Sequence, residues 1–333
     1  MGLCRTRMNG TLAAVAVVAL LLGATAPPAR AQGAQPLSLR MSVTATQADP
    51  LFAAAQKFAK LVDERTSGRV KIAPFPGTEL GGERDQLEAV KLGTTQVAAV
   101  GLNGSNKFLA MFLPYVFRDM EHQGKVIDSP IAQPWKDEIL KQQGLHFFGH
   151  AYQNPRHLTT ANRAVHVPAD VKGLKIRVPE LPALLETWKG LGANPTPIPV
   201  TEIFMALKQG TVEAQENPIE QIINNSFYEV QKYLILLGYS RPVISVMMND
   251  RAWQQLTPAE RQIAANAWAE VRDEHAAAIR ADEQKRIAFV KSKGVIVIEP
   301  DVAAFREATR DVARRLAQAT WGAGVYERVV ELK

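Results

Sequence analysis

The chain has 333 residues, 39 basic against 33 acidic, a formal net charge of +6 and a single cysteine. That length supplies a large core and room for two domains. One cysteine excludes a disulfide framework, and interleaved charges with no basic stripe or aromatic platform argue against nucleic acid as a partner.

Arg5 and Arg7 give a positive start, Leu12 to Leu22 is an apolar run, and "APPARAQ" follows, with Ala29 and Ala31 forming an A-x-A site. The pattern predicts a secretory signal peptide over residues 1–31, cleaved after Ala31. The alternative is an uncleaved anchor, but the run is about half of the roughly 20 residues a membrane span needs. Cys4 precedes the run, so the mature chain has no cysteine and uses neither disulfides nor thiol chemistry. Arg5, Arg7 and Arg30 leave with the signal, giving 36 basic against 33 acidic residues and a mature charge of +3.

Strand-like and helix-like segments then alternate. "LSLRMSV" (37–43) precedes a helical pattern at 50–66; "VKIAPFP" (70–76) precedes a helix from Glu83 that Gly93 ends; "QVAAV" (96–100) is a short buried strand. A second set follows: "LHFFGHA" (145–151), "LKIRV" (174–178), a helix near 180–191, "PTPI" (195–198), a helix at 201–209 and "VEAQE" (212–216). Alternation of this kind predicts an α/β fold with parallel sheets covered by helices, and the two sets predict two domains. From Thr257 the sequence reads as one long helix, with a capping box to Glu260, Pro258 in the first turn and Gly294 at the end. About 36 helical residues would reach about 54 Å, enough to run behind both domains. A kink or break is the alternative, since uninterrupted helices beyond about 25 residues are unusual in globular domains.

Motifs for catalysis are absent. There is no G-x-S-x-G, no H-E-x-x-H and no phosphate loop. His146, His150, His157 and His166 lie within 21 residues. His146 and His150 sit four residues apart on a predicted strand, about 13 Å, too far to share an ion. The expectation is therefore no metal, no cofactor and no enzyme.

Three positions remain. In "KGLKIRVPE" (172–180), Arg177 sits at the carboxyl end of a strand, where α/β sheets bind ligands. A guanidinium there either clamps a carboxylate with its planar fork or makes a structural ion pair. In "AQENPIE" (214–220), Asn217 reads either as a helix cap before Pro218 or as an amide that bonds an anion. Arg156, in "YQNPRHLTT", begins a strand-like segment and reads first as a solvated arginine.

"FAKLVDERTSGRVKIAPFPGTELGGERDQLEAVKLGTTQVAA", "LPYVF", "PADVKGLKIRVPE", "WKGLGANPTPIPVTEIFMALKQGTVEAQENPIE" and "FYEVQKYL" stand in one order and spacing. Together they resemble the periplasmic solute-binding proteins of tripartite ATP-independent periplasmic (TRAP) transporters, the DctP family, across the mature chain. The resemblance implies a two-lobed, hinged periplasmic-binding-protein fold with the long helix spanning both lobes. It places lobe I at 32–153 plus 243–282 and lobe II at 154–242 plus 283–333. It implies a monomer in the periplasm that binds a small carboxylate and delivers it to the membrane permease subunits. A ligand sensor for a receptor kinase is the alternative, and an enzyme acting on an organic acid a more distant one. Within the site, the resemblance makes Arg177 the main carboxylate partner, Asn217 its neighbour and Arg156 a pocket-lining residue. Thr44, Glu83, Asn103 and Ser105 match pocket-lining positions of the first lobe by place rather than identity. Val200 stands where the family often has an aromatic side chain, a departure that implies a different or roomier pocket. "EAQENP" replaces the usual "DGQENP" and should leave the contact intact.

Overall fold

Eleven strands build two mixed sheets in a computed structural model that describes Gly2, residues 35–101 and residues 105–333. Apart from Gly2, the predicted signal peptide lies outside the described residues, as does Asn103. The strands are β1 (Leu37–Val43), β2 (Val70–Pro76), β3 (Val97–Val100), β4 (Leu145–Tyr152), β5 (Arg156–Thr160), β6 (Lys175–Val178), β7 (Asn194–Pro197), β8 (Ala214–Pro218), β9 (Tyr233–Ile235), β10 (Val243–Asn249) and β11 (Ile296–Ile298). The first sheet has the order β2-β1-β3-β10-β4 and the second β11-β9-β5-β8-β6-β7.

The expectation of parallel sheets holds only in part. β1 runs parallel to β2 and β3, and β6 parallel to β7 and β8. β10 is antiparallel to β3 and β4, and β5 is antiparallel to β8 and β9. The alternation rule applies to successive strands of one sheet joined by a covering helix. β5 and β10 instead arrive from the other sheet, through the short connections 153–155 and 236–242, and the rule does not reach them.

The long helix is continuous from Pro258 to Ser292, 35 residues or about 52 Å. Thr257 accepts from the Glu260 amide and Glu260 reaches back to the Thr257 amide, the capping box read from the sequence. Ala264, Ala267, Trp268 and Val271 of this helix join Phe58 and Val62 in the core of the first sheet. Ile287 and Val290, near its other end, pack with Ile203, Leu207 and Phe227 beside the second sheet. A single rigid element thus contributes to the cores of both sheets. It packs tightly on β4 at Gly149, where an added Cβ would meet Trp268 Cδ1 at 2.3 Å.

One local expectation is corrected. Asn217 does not cap a helix: β8 continues through it to Pro218, and Pro218 is the residue preceding the helix Ile219–Asn224. Pairing of β5 with β8 over the full register, His157 opposite Asn217 and Arg156 opposite Pro218, holds this stretch extended. The amide of Asn217 is thereby left for other partners.

Candidate ligand site

Lys175 of β6 is exposed, whereas Ile176, Arg177 and Val178 are buried. The ladder sets Arg177 beside Thr196 of β7 on one side and Gln215 of β8 on the other, and Gln215 in turn beside Thr159 of β5. A row of polar side chains therefore crosses adjacent strands of the second sheet.

Arg177 is 4% exposed. Its Nε donates to the Ile198 carbonyl at 2.8 Å. Its two terminal nitrogens donate to no acceptor among the described residues, and no carboxylate there pairs with it. Burial pulls its pKa down to about 10; Glu216 opposes that shift and Arg156 adds to it. The group remains a cation at neutral pH, with its planar fork unused by the described residues. Such a charge is costly to bury without a partner.

Arg156 is also buried but is engaged. Its Nε donates to Glu216 Oε2 at 2.5 Å and its Nη2 to Glu216 Oε1 at 2.9 Å. The same Nη2 approaches the Glu216 carbonyl at 2.8 Å and Asn217 Oδ1 at 3.1 Å. Burial would lower the Arg156 pKa, but the Glu216 carboxylate, with Tyr239 behind it, outweighs burial and raises it. Tyr239 donates its hydroxyl to Glu216 Oε2 at 2.6 Å and accepts from Trp188 Nε1 at 3.1 Å. Burial, then the Glu216 charge, pushes the Tyr239 hydroxyl well above its usual range, so it stays neutral.

Asn217 closes the network. Its Nδ2 donates to Gln215 Oε1 at 2.6 Å, and Gln215 Nε2 donates to Thr159 Oγ1 at 2.8 Å. Trp188, Tyr239, Glu216, Arg156, Asn217, Gln215 and Thr159 form one chain of hydrogen bonds beside the unpaired fork of Arg177. Hydrogen-bonded networks of this kind fix side-chain orientation and are sensitive to loss of any member.

The first sheet carries the other candidates. Thr44 follows β1, with Oγ1 3.3 Å from the Ala99 carbonyl. Glu83 opens the helix Glu83–Leu92, and its Oε1 accepts from the Gly101 amide at 2.6 Å. Both lie at the carboxyl ends of the adjacent parallel strands β1 and β3. Ser105 is buried, caps the short helix Asn106–Leu109 and donates to Glu138 Oε1 at 2.9 Å. Val200 is 43% exposed in the single turn Val200–Glu202 after β7.

The structure brings Arg156, Arg177 and Asn217 into one cluster, and adds Glu216, Tyr239, Gln215 and Thr159, which sequence reasoning did not single out. "QENP" held the signal for two of them: alternation along a strand sends Gln215 and Asn217 to one face and Glu216 to the other. Tyr239 and Thr159 carry no local signal. The histidines serve elsewhere. His146 bonds Asp250 and stacks on Trp253, and His157 lies 3.3 Å from Glu283.

Residues 41–319 match the family described as bacterial extracellular solute-binding protein, family 7, DctP. The chain belongs to the DctP family of TRAP solute-binding proteins. A solute-binding protein of Verminephrobacter eiseniae is 34% identical over 81% of this chain and 81% of its own length. The sialic acid-binding periplasmic protein SiaP of Vibrio cholerae is 31% identical over 81% of this chain and 85% of its own. Among solved structures, a TRAP periplasmic solute-binding protein of Polaromonas sp. JS666, bound to D-erythronate, superposes with a TM-score of 0.80. It is 30% identical and the match covers 89% of this chain and 99% of that one. The two-sheet α/β fold with its long helix is the fold of this family. Among the described residues, no helix is long and apolar enough to cross a membrane.

Proposed function

We propose that this member of the family binds a small organic acid and that Arg177 is the residue that takes its carboxylate. The observation carrying this reading is the buried guanidinium whose Nη1 and Nη2 have no protein acceptor among the described residues. A carboxylate matches that fork in two parallel bonds and restores the missing charge. Asn217 stands beside it, and Arg156 is held in place by Glu216 with Nη1 left over. Thr44, Glu83, Asn103 and Ser105 would contribute from the first lobe and Val200 from the rim. The carboxylic acid in the names of relatives, sialic acid in one and D-erythronate in another, supports the class of ligand.

On this reading the segments 32–153 and 243–282 form one lobe and 154–242 and 283–333 the other. The chain crossings at 153–155 and 236–242 are the hinge. The protein is exported by cleavage after Ala31, acts as a monomer and hands its ligand to the membrane permease without chemical change. Family membership supports the permease partner and the absence of turnover.

A thermal-shift screen over C4-dicarboxylates, 2-keto and hydroxy acids, aromatic acids and sugar acids tests the reading. An acid present at about 100 times its Kd should stabilise the protein by about 2.7 kcal/mol, while its neutral amide or alcohol should not. Stabilisation by neutral sugars or amines, with no response to any acid, would remove the carboxylate from the account.

A further inference from the structure

We infer that the last part of the chain is a strap that ties the two lobes together and resists opening of the cleft. The helix Val302–Trp321 starts beside the second sheet. The Asp301 amide donates to the His166 carbonyl at 2.8 Å. Phe305 and Ala313 share a buried core with Leu184 and Trp188 of the helix Pro182–Gly190, which follows β6. The far end is fixed to the first lobe. Trp321 stacks on Trp135 with ring centroids 4.9 Å apart and donates its indole NH to the Lys107 carbonyl at 2.7 Å. Trp135 and Lys107 belong to the helices Gln133–Gln143 and Asn106–Leu109, both between β3 and β4. Beyond Trp321, Val329 is buried and its carbonyl accepts from His122 Nε2 at 2.8 Å. Arg118 Nη1 and Nη2 donate to the Val330 and Leu332 carbonyls at 2.9 and 2.6 Å. Residues from Trp321 on therefore sit with the first lobe, which refines the division that groups 283–333 with the second.

Position gives the strap its effect. The helix Pro182–Gly190 follows the carboxyl end of β6, and the helix Asn106–Leu109 with the turn Ala110–Phe112 follows the carboxyl end of β3. Ligands bind outside such strand ends, and hinged opening of the cleft moves them apart. The helix Val302–Trp321 packs on both. Between them lies a cavity of about 440 Å³, lined by Leu109 and Leu113 from the first lobe, Leu181 and Pro182 from the second, and Leu316 and Ala319 of the strap. The helix thus bridges a gap and ties its two walls. Widening that gap requires the Trp321 stack or the Arg118 clasp to give way. A hinge biased in this way keeps more of the ligand-free protein in the closed, binding-competent form, and apparent affinity scales with that fraction.

Spin labels on Lys60→Cys and Gln209→Cys, exposed positions on the first and second lobes, read the distance between the lobes. The sequence after Ala31 holds no cysteine of its own, so only these two positions are labelled. In the ligand-free protein, Trp321→Ala should add a longer-distance population and raise the open-to-closed ratio by about tenfold, the combined scale of an aromatic pair and a hydrogen bond. Arg118→Ala removes an exposed side chain, leaves the core intact and should shift the ratio in the same direction. If Trp321→Ala does not fold, Arg118→Ala decides alone. A longer-distance population in a folded variant supports the strap, and distributions that coincide with wild type in every folded variant overturn it. No ligand enters the measurement, so its outcome is independent of the carboxylate reading of Arg177.

Discussion

Arg156 and Glu216 face each other across β5 and β8 in a fork-to-carboxylate pair, both buried, with Glu216 fully enclosed. The pair is built from opposite sides of the strand ladder and carries Asn217 on one flank and Tyr239 on the other. Replacing Glu216 by Ala strands a buried guanidinium and should destabilise the fold by about 3–5 kcal/mol. The double change Arg156→Met with Glu216→Leu removes both charges and should cost less than the single change. Urea denaturation of the three proteins checks the order, and a double variant weaker than the single would contradict it.

Tyr239 is the anchor of that pair. Tyr239→Phe keeps the ring against Trp188, centroids 5.6 Å apart, but deletes the bond to Glu216 and leaves Trp188 Nε1 without its acceptor. An unsatisfied buried donor costs about 1–3 kcal/mol. Equilibrium denaturation should report a loss in that range, and an unchanged midpoint would mean the hydroxyl holds nothing.

The long helix should be equally sensitive where it touches β4. Trp268 lies against the bare backbone of Gly149 and donates its indole NH to the His150 carbonyl at 2.8 Å. Gly149→Ala has no room for its methyl and should cost about 1–3 kcal/mol through overpacking. A shift in tryptophan emission with intact far-UV dichroism is expected, and a silent substitution would show that the helix has slack there.

His275 sets an acid limit. It is buried in the middle of the long helix, both ring nitrogens lack a partner among the described residues, and burial lowers its pKa from 6.5 to about 4. A depressed histidine is neutral when folded and takes a proton when unfolded. Its contribution to stability is therefore complete above about pH 6.5 and is lost progressively between there and about pH 4. The shift corresponds to about 3 kcal/mol at its limit. Buried His150, also pushed down by burial, acts in the same sense. His275→Met should flatten the fall of stability over that window in a pH series of denaturation curves. An unaltered slope would place the acid sensitivity elsewhere.

Much of this was legible in the chain. Alternating patterns located β1, β2, β3, β4 and β6, and Thr257, Glu260 and Gly294 marked the long helix because caps are local chemistry. Arg177 stood out because a charged side chain on an inner strand needs a reason. The sheet direction of β5 and β10 was not legible, since it depends on where the chain crosses from one sheet to the other. The helix-cap alternative for Asn217 fails for the same reason: its sequence context fits a cap, but pairing with β5 decides its conformation. Tyr239 and Glu216, 23 residues apart, meet only through the tertiary fold.

The central claim is that the free fork of Arg177 takes a ligand carboxylate. Calorimetric titration of wild type, Arg177→Lys and Arg177→Ala, using the acid that stabilises wild type most, tests it most directly. Losing the planar fork should weaken binding in the lysine variant, and losing the charge should weaken it by at least about a hundredfold in the alanine variant. Affinity within about twofold of wild type in the folded alanine variant would contradict the assignment.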